Sequence, residues 1–154
     1  MLINSQAKQL YPVVIGSSRA TAGGTGDNTA VVNAVGIDTK NYSSGLIVVS
    51  GSATLTDAKS LTLSVSTTEC DTLGGTYTAK ETLATALVLA TSSGGGTVNG
   101  AASFPIDLDD YERFVKVSFT PDLTHTGTDV STLTAVLILS DGKELPITLN
   151  NTFA

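Results

Sequence analysis

The residue types that most often do chemistry in proteins are scarce in this chain of 154 residues, which has one histidine, His125, and one cysteine, Cys70. General acid–base and nucleophilic sites usually pair a histidine or an activated thiol with a second group, and zinc sites use several such ligands. His125 lies among Thr, Gly and Asp and is expected to be solvated, whereas Cys70 is expected to be reduced, buried and inert. The chain therefore carries no enzyme signature, and we expect no cofactor and no metal.

Asp107, Asp109 and Asp110 form the densest group of carboxylates in the sequence. Alternating carboxylates can ligate calcium, but the glycine turn and the distal glutamate of an EF-hand loop are absent from this segment. We interpret the group as a solvated turn before a strand, in which Asp107 can pair with Arg113. Residues 16–28 are rich in glycine but lack the Lys-Ser/Thr pair and the helix of a phosphate-binding loop, so a plain loop is predicted there.

The composition argues against nucleic acid and membrane as partners. The net charge is −6, and the eight Lys and Arg residues are scattered singly, whereas nucleic-acid binding usually needs a basic patch. No apolar run approaches the ~18 residues of a membrane-spanning helix, and the first twelve residues lack the pattern of a signal peptide. Only 14% of the residues are charged, against about 25% in an average domain, which favours hydroxyl-bearing strands and a protein that packs against partners.

The alternation that predicts strands is clearest in residues 44–68. Residues 46–49, Leu-Ile-Val-Val, form an apolar run of the kind found in strands that are buried on both faces. Residues 61–66 alternate Leu or Val with Thr or Ser, which is typical of a strand with one solvated face. The connecting residues 51–59 contain turn-forming Gly, Ser and Asp. The unit is therefore predicted to be a β-hairpin or a β-arch at the centre of an all-β domain.

Other strands are predicted along the chain, separated by loops of small and polar residues. Residues 92–100, for example, are predicted to form a flexible loop. Around the Asp-Gly pair at 141–142, two alternating segments, 133–139 and 145–149, predict a hairpin. The further strand candidates are residues 13–15, 29–35, 76–78 and 113–119.

Residues 79–90 allow two interpretations. Thr78 and Glu81 have the spacing of a helical capping box, and Leu83 and Leu87 fall on one face of a helix. The segment is also compatible with a strand. We favour the strand because every neighbouring segment is predicted to be β.

The fold class predicted from this pattern is all-β, a β-sandwich or jelly roll of about eight strands. Residues 13–154 are expected to form a single domain, and residues 1–12 are expected to form an extended N-terminal arm. The arm carries apolar anchors that a free tail would not need, and we predict that they bind a neighbouring chain by strand addition. These candidate partner-binding residues are Leu2, Ile3, Leu10 and Tyr11.

Several short segments follow one another in a characteristic order. They are Ile106-Asp107-Leu108, residues 113–117, Thr120-Pro121, residues 135–139 and Leu145-Pro146. This order resembles a pattern in small head proteins of tailed bacteriophages, the capsid decoration or cement proteins. Upstream segments fit the same layout, so the resemblance covers roughly residues 25–147; they are residues 36–38, 46–49, 61–65 and 76–78. Phe114 stands where the family pattern has Tyr, and Lys116 stands where it has Arg.

The resemblance implies a non-enzymatic cement protein with a jelly-roll or β-sandwich fold. Such proteins commonly form trimers on the outer surface of an icosahedral head, where they clamp neighbouring capsid subunits. The chain is thereby expected to be made in the host cytoplasm and to end on the outer capsid surface of the virion as a homotrimer. Its expected partners are the major capsid protein and further copies of itself, with no nucleic acid and no membrane.

Two other functions are open at this point. One is a β domain associated with a phage tail or fibre. The other is a carbohydrate-binding or adhesive β-sandwich module, which usually needs exposed aromatic platforms. The chain has no Trp, so Tyr42, Tyr77 and Tyr111 are the candidates for such a platform.

Overall fold

The computed structural model describes residues 10–91, 94–124 and 127–143. Nearly all regular structure in these ranges is β, apart from a 3-10 helix at Leu108–Asp110. Two strands are short, β2 (Val31–Val32) and β3 (Ile37–Asp38). The long strands are β1 (Tyr11–Thr21), β4 (Tyr42–Leu55), β5 (Ser60–Cys70), β6 (Thr78–Ala90), β7 (Gly96–Asp107), β8 (Phe114–Leu123) and β9 (Val130–Gly142).

The strands form two antiparallel sheets that together make a jelly roll. Sheet A has the order β1-β9-β4-β7, and sheet B has the order β2-β8-β5-β6, with β3 also paired to β8. The pairing is nested along the chain, because β1 pairs with β9, β2 and β3 with β8, β4 with β7, and β5 with β6. The predicted fold class is confirmed. The strand number is eight when β2 and β3 are counted as one interrupted strand.

The two sheets pack through one side of each strand, as the alternation along the sequence predicts. In β5, Leu61, Leu63 and Val65 are buried while the hydroxyl residues between them are half-buried. Each fully buried Leu or Val side chain stabilises the fold by roughly 1.5–3 kcal/mol. The other large, fully buried side chains are Ile47, Val49, Val115, Val117, Phe119, Leu133, Leu137 and Leu139.

The unit at residues 44–68 is a β-arch, because β4 lies in sheet A and β5 lies in sheet B. The connection between them is held by Asp129, whose buried carboxylate accepts a hydrogen bond from the Thr56 amide at 2.9 Å. Ala58 has a φ of 51°, which gives the connection its tight turn. The chain thus crosses from one layer of the sandwich to the other at this point.

Two glycine-rich segments predicted as loops, residues 16–28 and 92–100, are strand in part: residues 16–21 belong to β1 and residues 96–100 to β7, whereas residues 22–28 are a loop as predicted. β1 begins at Tyr11, inside the predicted arm, and continues to Thr21 opposite β9, whereas only residues 13–15 were predicted as strand. β7 begins at Gly96, inside the predicted loop, and pairs with β4 throughout. In both cases the ladder with a neighbouring strand outweighs local composition. A Cβ atom at Gly100 would lie 2.5 Å from Leu89 Cδ2, so this glycine serves close packing of β7 on β6 and not a turn.

The segment at residues 79–90 is strand β6, as favoured from the sequence. It is the outermost strand of sheet B and pairs with β5. Its first eight residues are exposed on both faces, and Leu89 is the buried side chain near its end. The helical spacing of Leu83 and Leu87 coincides with a bulge, because their partners Val65 and Leu63 on β5 are only two residues apart.

The hairpin predicted around residues 141–142 does not fit the position of β9. From Val130 to Leu139, β9 is paired with β1 on one side and with β4 on the other. Both hydrogen-bonding edges are therefore occupied, and a returning strand has no edge of this segment to pair with. Asp141 has a φ of 54°, while Gly142 continues the ladder opposite Tyr42. The predicted return strand, residues 145–149, lies outside the described residues.

The strand predicted at residues 29–35 is reduced to the two residues of β2. After β2 the strand pairing with β8 is interrupted. There the side chain of Asn33 replaces it, because the Asn33 Oδ1 accepts a hydrogen bond from the Val117 amide at 2.8 Å. The Asn33 Nδ2 donates to the Val35 carbonyl at 2.5 Å. The pairing resumes at β3, where Ile37 lies opposite Val115.

Candidate interaction surface

Among the residues that the structure describes, those with catalytic potential are not brought together. His125 lies outside the described residues. Cys70 is buried at the end of β5, with its Sγ 3.9 Å from Thr72 Oγ1, and is a free thiol. Within the described ranges, no group of three or more His, Cys, Asp or Glu residues is placed to hold a metal ion.

The acidic group at residues 107–110 has a structural role. Asp107 caps the 3-10 helix by accepting a hydrogen bond from the Asp109 amide at 3.1 Å. Asp109 forms an ion pair with Lys143 at 2.5 Å. The pairing of Asp107 with Arg113 suggested from the sequence is not observed, because Arg113 binds Asp38 on β3 through two nitrogens, the closer contact being 2.7 Å.

The predicted arm residues divide into two groups. Leu2 and Ile3 lie outside the described residues. Leu10 is 55% exposed, directly before β1. Tyr11 opens β1 opposite Leu139 and packs against the core, so it belongs to the fold of its own chain. Binding of a neighbouring chain by the arm stays a prediction.

The outer face of sheet A carries a surface that the sequence analysis did not identify. Two adjacent rows of outward-facing positions cross all four strands in the order β1, β9, β4, β7. Seven of their eight side chains are apolar, and we call these seven the apolar patch. The first row is Pro12, Ile138, Leu46 and Pro105; the second is Val14, Val136 and Val48, and Ser103 completes it.

The apolar patch is partly open to solvent in the described structure. Val14 is 68% exposed, while Leu46, Val48, Val136 and Ile138 are half-buried. Residues 46–49 were expected to be buried on both faces, but only Ile47 and Val49 are buried. The apolar run therefore faces the core with one side and the patch with the other.

The rows that flank the patch are hydroxyl-rich. On one side, Ser44 and Ser140 lie opposite each other, with their hydroxyl oxygens 2.7 Å apart. On the other side, Ser50 lies between Thr134 and Ala101. The patch itself contains no ionisable side chain. With strands about 4.8 Å apart and rows about 7 Å apart, its seven positions cover roughly 240 Å². That is somewhat less than the roughly 300–600 Å² of the largest apolar patch on a typical monomer, which is often functional.

The outer face of sheet B has the opposite character. On the central strands β5 and β8, the outward positions are hydroxyl or charged residues, and Ser66 and Ser118 have their hydroxyl oxygens 2.7 Å apart. Two apolar side chains, Val32 and Val88, stand singly on the outermost strands and do not meet. The outward residues of β5 and β8 are Thr62, Ser64, Ser66, Thr68, Lys116, Ser118, Thr120 and Asp122.

Burial raises the pKa of Tyr42 on β4 in sheet A, and the other perturbed ionisable groups of the described residues lie at the edges and end of sheet B. The hydrogen bonds from Arg113 hold the pKa of Asp38 below its usual value, despite some desolvation of that carboxyl. Burial raises the pKa of Tyr111 to about 12, although its hydrogen bond with Thr67 at 2.9 Å acts in the opposite direction. These shifts follow from contacts that hold the sandwich together and do not mark a catalytic site.

Of the three tyrosines considered as a sugar platform, Tyr42 is buried. One face of the Tyr77 ring lies under the Lys116 amine at 4.5 Å, and one face of the Tyr111 ring lies under the Lys80 amine at 5.2 Å. Tyr42 therefore cannot serve as a stacking platform in this structure.

The signal for the apolar patch is present in the sequence. Residues 12–15, 46–49 and 135–139 are continuous apolar runs, so the alternation assigned to residues 133–139 holds only as far as Ala135. Each run indicates a strand with two apolar faces. That the runs lie side by side depends on strand order and register, which come from the structure.

No family model and no curated protein matches this chain. Among solved structures, it is similar to that of the infectious bursal disease virus Gx strain, with 14% identity and a TM-score of 0.47 over 86% of this chain and 32% of that chain. It is also similar to the PBSX exported protein XepA, with 14% identity and a TM-score of 0.41 over 94% of this chain and 41% of that one. It is similar to the STIV MCP as well, with 11% identity and a TM-score of 0.41 over 87% of this chain and 49% of that chain.

The chain spans 32%, 41% and 49% of the lengths of these three structures. At such identities and at TM-scores below 0.5, the likenesses carry no argument about function. The jelly roll is established by the strand order of the chain itself. In the part of the chain that the structure describes, no helix has the length and apolarity to cross a bilayer.

Proposed function

We propose that this protein is a virion structural protein, a capsid decoration or cement protein that binds the outer surface of an icosahedral phage head and stabilises it. The observation that carries the proposal is the place of the family-like segments in the jelly roll. Ile106 ends β7 as a buried residue, residues 113–117 open β8, and residues 135–139 form the centre of β9. The segments that resemble the family are thus successive core elements of the fold that the resemblance implies.

The charge distribution supports an outward position on the capsid. The chain has a net charge of −6, and a surface that faced packaged DNA would be expected to carry basic patches. On the outer face of sheet B, Lys116 is the one cation among eight outward residues of the two central strands. This composition suits a protein that contacts other proteins.

The partners that fit this role are the major capsid protein and two further copies of the chain. β1 is the outermost strand of sheet A, so a neighbouring chain can add to it by main-chain hydrogen bonds. Leu10, exposed at the start of β1, lies next to that edge. In this proposal the arm, residues 1–9 together with Leu10, binds a neighbouring subunit.

A binding experiment tests the proposed function. Purified protein is mixed with undecorated heads, and the mixture is sedimented and imaged. We expect saturable cosedimentation, with density in three-fold groups on the outer surface. A variant lacking residues 1–9 should keep its melting temperature but bind more weakly. The absence of cosedimentation under conditions in which the protein is folded, or specific binding to a glycan array, would contradict the proposal.

A further inference from the structure

We propose that the open edge of β7 binds a second copy of this chain by strand addition, so that sheet A of one molecule continues into sheet A of the next. The inference stands independently of the capsid role, and it leaves β1, at the opposite edge of sheet A, to the neighbour proposed above. It rests on three observations: β7 is a long and regular edge, this edge carries no charge, and two β7 strands complement each other when they run antiparallel.

The four outermost strands differ in how far they are protected from pairing with other chains. β1 contains an irregularity between Val14 and Gly16, and β6 pairs with β5 through two irregularities, next to Leu63 and Thr67. β2 has only two residues. β7, in contrast, pairs with β4 over twelve residues without a register shift, and β4 is its one paired strand within the described residues. Bulges and short strands hinder pairing at an edge, whereas a long regular edge is a template for it.

The backbone groups of alternate β7 residues point to this edge. The Ala22 amide donates to the Asp129 carbonyl at 2.9 Å, so odd-numbered residues of β9 are directed toward β1. Carried through the registers of β9, β4 and β7, this alternation directs even-numbered residues of β7 toward β4 and odd-numbered residues toward the open edge. Pro105 falls in the second group, which agrees with the rule that a strand proline turns its nitrogen away from the ladder. The other residues of β7 whose N–H and C=O groups face the open edge are Thr97, Asn99, Ala101 and Ser103.

The edge of β7 is uncharged. From Gly96 to Ile106 the strand contains no ionisable side chain, and Asp107 follows only at its end. Like charges that lie opposite each other destabilise a strand pair, and charged side chains are a common guard of edges. β6 carries two such side chains, Lys80 and Glu81. An uncharged edge fits an uncharged partner strand, and a second β7 is such a strand.

Two β7 strands fit each other in an antiparallel register about a two-fold axis at Gly100. Thr97 then lies opposite the second copy's Ser103. Asn99 likewise lies opposite the second copy's Ala101. In this register every N–H and C=O group that these four residues direct to the edge meets a partner, because opposed residues of this kind exchange two hydrogen bonds. The contact is isologous, which is the arrangement of two-fold symmetric dimers.

The inner side of the strand pair is complementary in size in the same register. The half-buried Phe104 faces the second copy's Gly96, and the half-buried Val98 faces the second copy's Ala102. Each larger side chain therefore meets a smaller one, as in a well-packed core. Pro105 lies beyond the paired stretch, so its missing N–H is not required. The edge is thus its own complement, which favours a second copy over an unrelated segment.

Sedimentation of the full chain tests the association. At high micromolar concentration, we expect the wild type to have about twice the weight-average mass of a variant with Asn99→Lys and Ala101→Lys, in which like charges oppose each other across the paired edges. The matched control, Thr132→Lys with Thr134→Lys, adds the same charge at exposed outward positions of the central strand β9 and should keep the wild-type mass. Equal masses for the wild type and the edge variant would overturn the proposal.

Engineered disulfides test the register. In a Cys70→Ser background, chains with Asn99→Cys are mixed with chains with Ala101→Cys, because these positions face each other in the proposed pair at a Cα distance of about 5.5 Å. The control mixture uses Ser103→Cys in place of Asn99→Cys. Ser103 is also exposed on β7, but in the proposed pair it lies about 14 Å along the strand from the second copy's Ala101.

Under mild oxidation, we expect the disulfide between unlike chains at a yield about tenfold higher in the first mixture than in the control. Equal yields, or no disulfide in the first mixture, would contradict the proposed pairing. Binding of the same variants to undecorated heads is measured separately, and its outcome bears on the proposed function alone.

Discussion

The two outer faces of the sandwich are built from strands of the same fold and differ sharply in chemistry. On the outer face of sheet A, valine, isoleucine, leucine and proline from four strands form one continuous patch. On the outer face of sheet B, the central strands present serine, threonine, lysine and aspartate. The difference teaches that the alternation of apolar and polar residues holds on the central strands of sheet B and fails on three adjacent strands of sheet A at the same rows. That failure is what marks the outer face of sheet A as a candidate interaction surface.

The largest difference between the faces is expected for a charge introduced among apolar neighbours. Val136→Asp places a carboxylate in the apolar patch, and we expect the free energy of unfolding to fall by about 2–4 kcal/mol. Ser64→Asp is the matched change on the outer face of sheet B, also at a half-buried central position, and should cost less than about 1 kcal/mol. Urea unfolding of both variants measures the difference. Equal losses in the free energy of unfolding would contradict the proposed difference between the two outer faces.

The second expected effect concerns a polar contact on the inner side of sheet B. Tyr111→Phe removes the hydrogen bond to Thr67, and the free energy of unfolding should fall by about 1 kcal/mol at neutral pH. Thr67 keeps a partner in the Glu81 amide at 3.2 Å, which limits the loss.

Alkaline pH sharpens this prediction. The pKa of Tyr111 is raised to about 12 in the folded chain, above the usual value of about 10 in an unfolded one. Its stabilisation is therefore complete below pH 10 and is lost as the pH rises toward 12. The difference between the wild type and Tyr111→Phe should shrink over that window in unfolding measurements. A constant difference would contradict the assignment.

A smaller effect separates the centre of the patch from its margin. Val48→Thr puts a hydroxyl at a half-buried central position and should cost about 0.5–1 kcal/mol. Val14→Thr makes the same change on the outermost strand, where the side chain is 68% exposed, and should cost less than about 0.5 kcal/mol. Thermal unfolding of the pair measures this. A larger loss at Val14 would contradict the assignment of the centre of the patch to β4 and β9.

The smallest effect is expected for the ion pair at the end of sheet B. Arg113 lowers the pKa of Asp38 in the folded chain. The contribution of Asp38 to stability is therefore present above the unfolded pKa of about 3.9. It is lost as the pH falls through the lower pKa of the folded chain. Asp38→Asn should be slightly less stable than the wild type at pH 7, because both side chains of the pair are well exposed. The difference should vanish in acid. Val14→Thr is the control, because it changes no ionisable group and its free energy of unfolding should differ from that of the wild type by the same amount at every pH.

How far the sequence predicted the molecule depends on whether a feature is local. The strands at residues 61–66 and 113–119 were recognisable because a buried and a solvated side alternate within each. β7 was missed because Gly96 and Gly100 resemble a loop, and only its partner β4 makes them a strand. The hairpin at residues 141–142 was wrong for the same reason, since β9 has both edges occupied by distant parts of the chain.

The apolar patch, too, could not be predicted from the sequence alone. The apolar runs at residues 12–15, 46–49 and 135–139 are visible in the sequence, but they form a patch only because β1, β9 and β4 are neighbours in that register. The inertness expected of Cys70 agrees with its burial at the end of β5, and it remains to be tested by substitution. The arm anchors Leu2 and Ile3 lie outside the described residues.

The central claim is that the outer face of sheet A carries an apolar patch, whereas the outer face of sheet B is hydroxyl-rich. Thiol reactivity tests it directly, with Val48→Cys and Ser66→Cys each placed in a Cys70→Ser background and labelled with a maleimide. We predict that Val48→Cys reacts severalfold more slowly than Ser66→Cys in the full chain, because a thiol in apolar surroundings forms less of the reactive thiolate. Equal labelling rates in the full chain would contradict the claim.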